Sequence, residues 1–144
     1  MKKIIKKMYI VMLISVIGIT GLFTFTPSAS AASGCNDTSS GSGYNKTFKV
    51  CGTDSGDNVI GSINGSGFSS YGKNYWKMDL QRNVNGSYQT IGTRTGYIDW
   101  FSPSSRTFTN VSKKNAKTRI KVTFYDDSSY SYANGTVYSG YWYR

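Results

Sequence analysis

The sequence predicts an all-β protein: an antiparallel two-sheet sandwich or small barrel of about seven strands, with Greek-key connections, after a cleaved signal peptide. Strong helix formers almost disappear after residue 31, where Leu80 and Met78 are the only Leu and Met and no Glu occurs. The chain instead carries 12 Tyr and 16 Gly, which favour strands and turns. Apolar residues also take every second position in several stretches, as in half-buried strands.

Residues 1–31 have the features of a secretory signal peptide. Four lysines precede an apolar run over residues 8–25, and the triplet Ala29-Ser30-Ala31 resembles a cleavage site. A membrane anchor is the alternative, because 18 apolar residues can just span a bilayer. Pro27 and the cleavage triplet favour removal instead. We therefore expect a secreted, extracellular, bacterial protein with no transmembrane segment in its mature chain.

The mature chain is predicted to hold a Gly/Ser-rich arm over residues 32–43 and one β-domain over residues 44–144. Its two cysteines, Cys35 and Cys51, form an even number in an exported chain, which favours a disulfide. Such a bridge would attach the arm to the first strand and stabilise the fold by about 3 kcal/mol. A redox pair or a zinc site is the alternative, but the spacing is not C-x-x-C and His is absent.

Strand positions follow from the alternation and from turn residues. Asn85-Gly86 predicts a type I′ hairpin, since both positions of that turn need a positive φ. Ser112–Ala116 is interpreted as a second hairpin link. The predicted strands are Lys46–Cys51, Asn58–Ile63, Asn74–Asn83, Ser87–Arg94, Arg106–Val111, Lys117–Tyr125 and Thr136–Tyr143. The residues predicted to face the core are Phe48, Val50, Ile60, Trp76, Met78, Leu80, Ile91, Phe108, Ile120, Val122, Phe124 and Val137.

The residue types argue against an enzyme. His is absent and all seven acidic residues are Asp, so the commonest general base and metal ligand are missing. The neighbours Asp126 and Asp127 would point to opposite sides of a strand or lie in a turn. We expect no catalytic residues, cofactor or metal. A small hydrolase using two Asp stays a remote alternative, and calcium binding by Asp54 and Asp57 stays open.

The most informative polar segment is the basic strand near residue 120. It contains five cations in nine residues without an acid: Lys113, Lys114, Lys117, Arg119 and Lys121. If Ile120 and Val122 point inward, the last three cations form an outward stripe with steps of about 6.6 to 6.8 Å. Such a stripe suits a polyanion, although outward lysines also serve solubility and protect edge strands.

Aromatic residues at the end of the sequence predict a second part of the binding surface. Tyr141, Trp142 and Tyr143 are expected to offer ring faces that stack on sugars or bases. Tyrosine is also an ordinary strand residue, so a purely structural role stays open.

These features favour a secreted, non-enzymatic, cationic protein that binds an anionic wall polymer, a glycan or a membrane surface of a cell envelope. Nucleic acid is a further, non-specific partner, and we expect a monomer. The general plan is shared by bacteriocins, wall-binding modules and inhibitors, so two alternatives stay open. One is a secreted antimicrobial toxin, and the other is an extracellular enzyme inhibitor that presents the loop from Ile98 to Ser105.

Overall fold

The structure, a computed structural model, describes residues 31–39, 47–66, 73–99 and 103–144. This part of the chain consists of strands, turns and loops, and it contains no helix that could cross a membrane. The predicted signal peptide lies outside the described residues except for Ala31. The strands are β1 (Ser33–Ser39), β2 (Thr47–Ser55), β3 (Asn58–Ser66), β4 (Asn74–Val84), β5 (Ser87–Ile98), β6 (Ser104–Phe108), β7 (Lys117–Tyr125), β8 (Ala133–Tyr138) and β9 (Trp142–Tyr143).

The strands form two antiparallel sheets, which confirms the predicted all-β, two-sheet class. Sheet A has the order β1-β2-β3-β6, and sheet B has the order β5-β4-β7-β8, with β9 also paired to β7. In the described part of the chain no strand pairing joins the two sheets, so the alternative of a closed barrel is wrong. Strand β7 lies inside sheet B, because it pairs with β4 on one side and with β8 and β9 on the other.

The described strands number nine rather than about seven. All seven predicted strands occur; Lys117–Tyr125 has the predicted bounds, the other six have shifted ends, and the last is divided into β8 and β9 around Ser139. The Ser139 hydroxyl accepts the backbone N–H of Ile120, and the Ser139 N–H donates to the Ile120 carbonyl, so this break stays bonded to β7. The additional strand, β1, lies within the predicted arm, where the polar composition gave no alternation to count.

The two sheets share one hydrophobic core, in which the rings of Phe48 and Phe124 stack with centroids 4.2 Å apart. All but two of the residues predicted to face inward are buried. Ile60 is exposed because β3 turns its neighbours Val59 and Gly61 inward. Ile91 is exposed because it is the extra residue of a β-bulge, opposite the step from Leu80 to Gln81.

Two predicted connections had different outcomes. Asn85 and Gly86 have φ values of 53° and 88°, so the predicted type I′ turn between β4 and β5 is confirmed. The prediction that Ser112–Ala116 is a hairpin tip is wrong, because β6 pairs with β3 in sheet A while β7 pairs with β4 in sheet B. The link therefore crosses from one sheet to the other.

The predicted disulfide between Cys35 and Cys51 is present. The two residues are direct partners in the β1–β2 ladder, with Cα atoms 4.1 Å apart. The bridge therefore fastens an edge strand of sheet A to its neighbour, which strengthens the attachment of a segment that has few apolar residues.

A buried polar cluster holds the end of β2, the crossing link and the residues after β8 together. The carboxylate of Asp54 accepts the indole N–H of Trp142 at 2.9 Å and forms an ion pair with the Arg144 guanidinium at 2.9 Å. The same guanidinium donates to the carbonyl of Val111 at 2.6 Å, and the Arg144 carbonyl accepts the N–H of Ala116 at 2.9 Å. Arg144 thus connects three segments that are distant in sequence.

Loss of the Arg144 guanidinium should destabilise the fold strongly. In Arg144→Met, Asp54 would keep a mostly buried charge without its cationic partner, and the carbonyl of Val111 would lose a donor. We expect the free energy of unfolding in urea to fall by about 3–5 kcal/mol. The control is Lys49→Met, because Lys49 and Asp37 form an exposed ion pair 3.9 Å apart. It should change stability by at most about 1 kcal/mol, and equal losses in both variants would contradict the structural role of Arg144.

Candidate functional site

The outer face of sheet B carries several cations and aromatic rings that are exposed or half-buried. Along β7, Thr118, Ile120 and Val122 are buried, whereas Lys117, Arg119 and Lys121 lie on the opposite face. The last three are the cations for which alternation predicts an outward stripe. Because β7 is an interior strand, its outward side chains are flanked on both sides by side chains of neighbouring strands rather than by an open edge.

Arg119 occupies the most organised position on this face. Its guanidinium carbon lies 3.7 Å from the ring centroid of Tyr88 and 4.2 Å from that of Tyr138. Its Nε donates a hydrogen bond to Gln81 Oε1 at 3.0 Å. The planar cation is therefore held by two rings from strands β5 and β8, and by a side chain of β4. A charged group fixed in this way loses little conformational freedom when it binds an anion.

Lys117 contributes to the same end of the face. Its Nζ lies 4.7 Å from the ring centroid of Tyr141, and that ring meets Tyr143 edge-on with centroids 6.4 Å apart. More than half of each tyrosine is exposed, at 57% for Tyr141 and 55% for Tyr143. Both tyrosines therefore lie outward, Tyr141 next to the ammonium group of Lys117 and Tyr143 as the ladder partner of Lys117.

A second group of rings lies at the other end of the face. Tyr75 meets Tyr97 and Tyr130 edge-on, and Tyr125 also meets Tyr130 edge-on, at 5.4 Å between centroids. Lys77 Nζ lies 5.6 Å from the Tyr125 ring. Lys73 Nζ lies 4.5 Å from the Tyr97 ring. The residue pattern alone did not single out this group, because its members come from β4, β5 and the region around the end of β7.

Trp142 does not belong to the exposed stacking surface predicted for it. It is 4% exposed, its indole N–H is bonded to Asp54, and its ring packs against Gly52. A Cβ atom added at Gly52 would lie 2.1 Å from the Trp142 ring, so glycine is needed there for this close approach. The three-residue aromatic run alternates, with Tyr141 and Tyr143 outward and Trp142 in the core.

Lys113 and Lys114 lie in the crossing link that precedes β7, and both are exposed. The link is held from two sides. Arg82, which is buried, donates to the carbonyl and hydroxyl oxygens of Ser112, and the Lys114 N–H donates to the Arg144 carbonyl at 3.0 Å. Burial, followed by the nearby charge of Arg144, lowers the pKa of Arg82. The cations of the link are thus attached to the fold independently of the rings on the outer face.

The acidic residues considered in the sequence occupy turns or structural contacts. Asp54 is engaged by Trp142 and Arg144, and the Asp126 carboxylate accepts from the Asn134 amide. Hydrogen bonds from the side chain and then the backbone of Ser129 lower the pKa of Asp127, as in a turn that wraps a carboxylate. The described residues contain no group of three or more side chains able to hold a metal ion. The calcium hypothesis for Asp54 and Asp57 thus gains no support.

The loop from Ile98 to Ser105, considered for an inhibitor, is only partly described. Residues 100–102 lie outside the described part, while Ile98 and Ser104 are buried. A shallow cavity of about 290 Å³ lies beside this loop, and its lining includes Tyr97, Asp99 and Arg106.

The comparisons with known proteins add no relative. No family model matches the chain, and no match was found among curated proteins or solved structures. The chemistry of the candidate site is therefore inferred from the residues on the outer face of sheet B. That face combines fixed cations with exposed phenol rings, a combination suited to binding anionic groups and sugar rings.

The contact between Arg119 and Tyr138 can be tested by a double-mutant cycle on stability. We expect Arg119→Ala and Tyr138→Leu to show a coupling energy of about 0.5–1 kcal/mol, as found for partly exposed cation–π pairs. The control cycle combines Arg119→Ala with Tyr97→Leu. Because Tyr97 lies at the other end of the face, this pair should show no coupling energy. Urea unfolding of all variants measures both cycles. No coupling in the first cycle would mean that the stacked arrangement does not persist in solution.

Proposed function

We propose that this protein is a secreted, non-enzymatic binding protein whose outer face of sheet B engages an anionic or glycan component of a cell envelope. The observation that carries the proposal is Arg119, held between the rings of Tyr88 and Tyr138 in line with Lys117 and Lys121 on an exposed sheet face. An arginine whose guanidinium plane is held in one orientation can donate two parallel hydrogen bonds to a phosphate or carboxylate group.

The surroundings of these cations combine one acid with exposed rings. Asp79 is the direct ladder partner of Lys121 and offsets part of the local positive charge, while its carboxylate accepts a hydrogen bond from the Thr93 hydroxyl at 2.7 Å. The exposed rings of Tyr141 and Tyr143 can stack on sugar rings, while their hydroxyl groups stay in water. Charge and ring surface therefore lie side by side.

Secretion and a Greek-key sandwich are also part of the proposal. The predicted signal peptide over residues 1–31 would direct the chain out of the cell, and the disulfide is compatible with an oxidising compartment. Within this proposal the two sheets form a Greek-key sandwich. The chain passes between the sheets from β3 to β4, from β5 to β6 and from β6 to β7, which supports that connectivity.

The binding experiment uses protein purified from the culture medium and isolated cell walls, anionic vesicles and single-stranded DNA at two salt concentrations. We expect binding to isolated walls that weakens steeply as salt rises, because the cations displace bound counterions from the polymer. Combined Lys117→Ala, Arg119→Ala and Lys121→Ala should lower the affinity about 100-fold, from about 1 kcal/mol per cation at an anionic surface.

Two control variants locate the effect. Lys49→Ala removes a cation from sheet A and should leave wall binding within about twofold of the unchanged protein. Lys113→Ala with Lys114→Ala reports whether the crossing link contributes to binding. Equal wall binding by the triple variant and the unchanged protein would overturn the proposal. Growth inhibition of other bacteria by the purified protein would instead indicate the toxin, and a stable stoichiometric complex with an enzyme would indicate the inhibitor.

A further inference from the structure

The outer face of sheet B has two ring-and-cation clusters rather than one. The Arg119 cluster consists of Lys117, Arg119, Tyr88, Tyr138, Tyr141 and Tyr143. The Lys77 cluster consists of Lys73, Lys77, Tyr75, Tyr97, Tyr125 and Tyr130. Each cluster places at least one cation over a tyrosine ring, at 3.7 Å for the closest contact in the first and at 4.5 Å in the second.

The two clusters lie along the strand direction of β7. Tyr125 lies six residues after Arg119 on β7, which corresponds to about 20 Å at the rise of an antiparallel strand. The ladders place Tyr125, Tyr75 and Tyr97 in one row across the sheet, and Arg119 and Gln81 in another. Lys77 pairs with Thr123 and so lies about 14 Å from Arg119 along the strand. A ligand must therefore extend over about 14 Å to contact the cations Arg119 and Lys77, and over about 20 Å to reach the Tyr125 ring as well.

The rows of side chains between Arg119 and Tyr125 are polar. The row of Lys121 contains Thr93, Asp79 and Tyr138 as ladder partners, and the next row contains Thr95, Lys77, Thr123 and Thr136. Thr123 is buried, and its hydroxyl group lies 3.2 Å from that of Thr136, which is exposed. The path thus offers two ammonium groups, exposed hydroxyl groups and one carboxylate. It matches a ligand that carries hydroxyl groups and widely spaced anionic groups, whereas the acyl part of a membrane would need apolar side chains there.

We propose that the two clusters bind one linear anionic glycan lying along β7, a chain of sugar or polyol units that carry phosphate or carboxylate groups. This inference rests on the proposed function and names the ligand class of the same face. The cations would pair with the anionic groups, and the tyrosine rings at each end would stack on the units. Attachment at one cluster raises the local concentration of the chain at the other, so a long chain gains affinity without a new type of contact.

The test measures affinity against ligand length for the full exported protein by titration calorimetry. The probes are oligogalacturonates for the carboxylate class and polyol-phosphate oligomers for the phosphate class, in a series of lengths from below about 14 Å to above about 20 Å. We expect affinity to rise at least tenfold once an oligomer can reach both clusters, and to vary little below that length. The class that binds more tightly identifies the anionic group.

Variants at the two clusters distinguish binding across both clusters from binding at the Arg119 cluster alone. Arg119→Ala should remove most binding of short oligomers, whereas Lys77→Ala and Tyr125→Ala should remove only the gain that long oligomers show. Thermal unfolding checks that each variant is folded. If the Tyr125→Ala variant does not fold, the Lys77→Ala variant provides the test. A length-independent affinity, or long-oligomer binding that is unchanged by Lys77→Ala, would overturn the inference.

Two control ligands test the chemical class of the ligand. Uncharged malto-oligosaccharides that bind as tightly as the anionic oligomers would overturn the anionic part. Single-stranded oligo(dT) that binds more tightly than any glycan would overturn the glycan part, because rings and cations can also bind nucleic acid. If isolated walls and every anionic oligomer fail to bind, the proposed function itself fails, which is a different result from binding without length dependence.

Discussion

The register of β7 is the constraint on which both the core and the outer face depend. Its alternate residues supply Ile120, Val122 and Phe124 to the core, and Lys117, Arg119 and Lys121 to the opposite side. A slip by one residue would bury three cations and expose three apolar side chains. Pairing with β4 on one side and with β8 and β9 on the other fixes this register. The same hydrogen bonds that stabilise the sheet therefore also determine where the charge lies.

Two sets of cations in the described residues differ in their surroundings. Arg82 and Arg144 are buried, each donates to a backbone carbonyl of the crossing link, and Asp54 forms an ion pair with Arg144. Burying two positive charges beside one negative charge is costly, which the lowered pKa of Arg82 reflects. The carbonyl oxygens offset part of that cost. Lys117 and Arg119 on the outer side of sheet B instead contact tyrosine rings, and Lys117 is exposed while Arg119 is half-buried.

Local sequence patterns predicted the fold class, the turn at Asn85-Gly86, the disulfide and the outward side of β7, since each depends on neighbouring residues or on the only available pairing. Other features depend on which strands meet. Val59 and Ile60 are both apolar, so alternation alone does not decide which faces inward, and the bulge at Ile91 arises only in the pairing of β5 with β4. Trp142 is buried because its partners, Gly52 and Asp54, lie in the other sheet. The Lys77 cluster likewise forms only when β4 and β7 are adjacent.

The position of the disulfide affects how the protein would associate with copies of itself. Strand β1 covers the hydrogen-bonding edge of β2, and it is an edge strand with mostly polar residues. Reduction would let β1 detach more readily and leave the backbone donors and acceptors of β2 open to strand addition by a second molecule. Self-association by that route would extend sheet A and leave the tyrosines and cations of sheet B accessible. Aggregates formed under reducing conditions would therefore still present the outer face of sheet B, for which ligand binding is proposed.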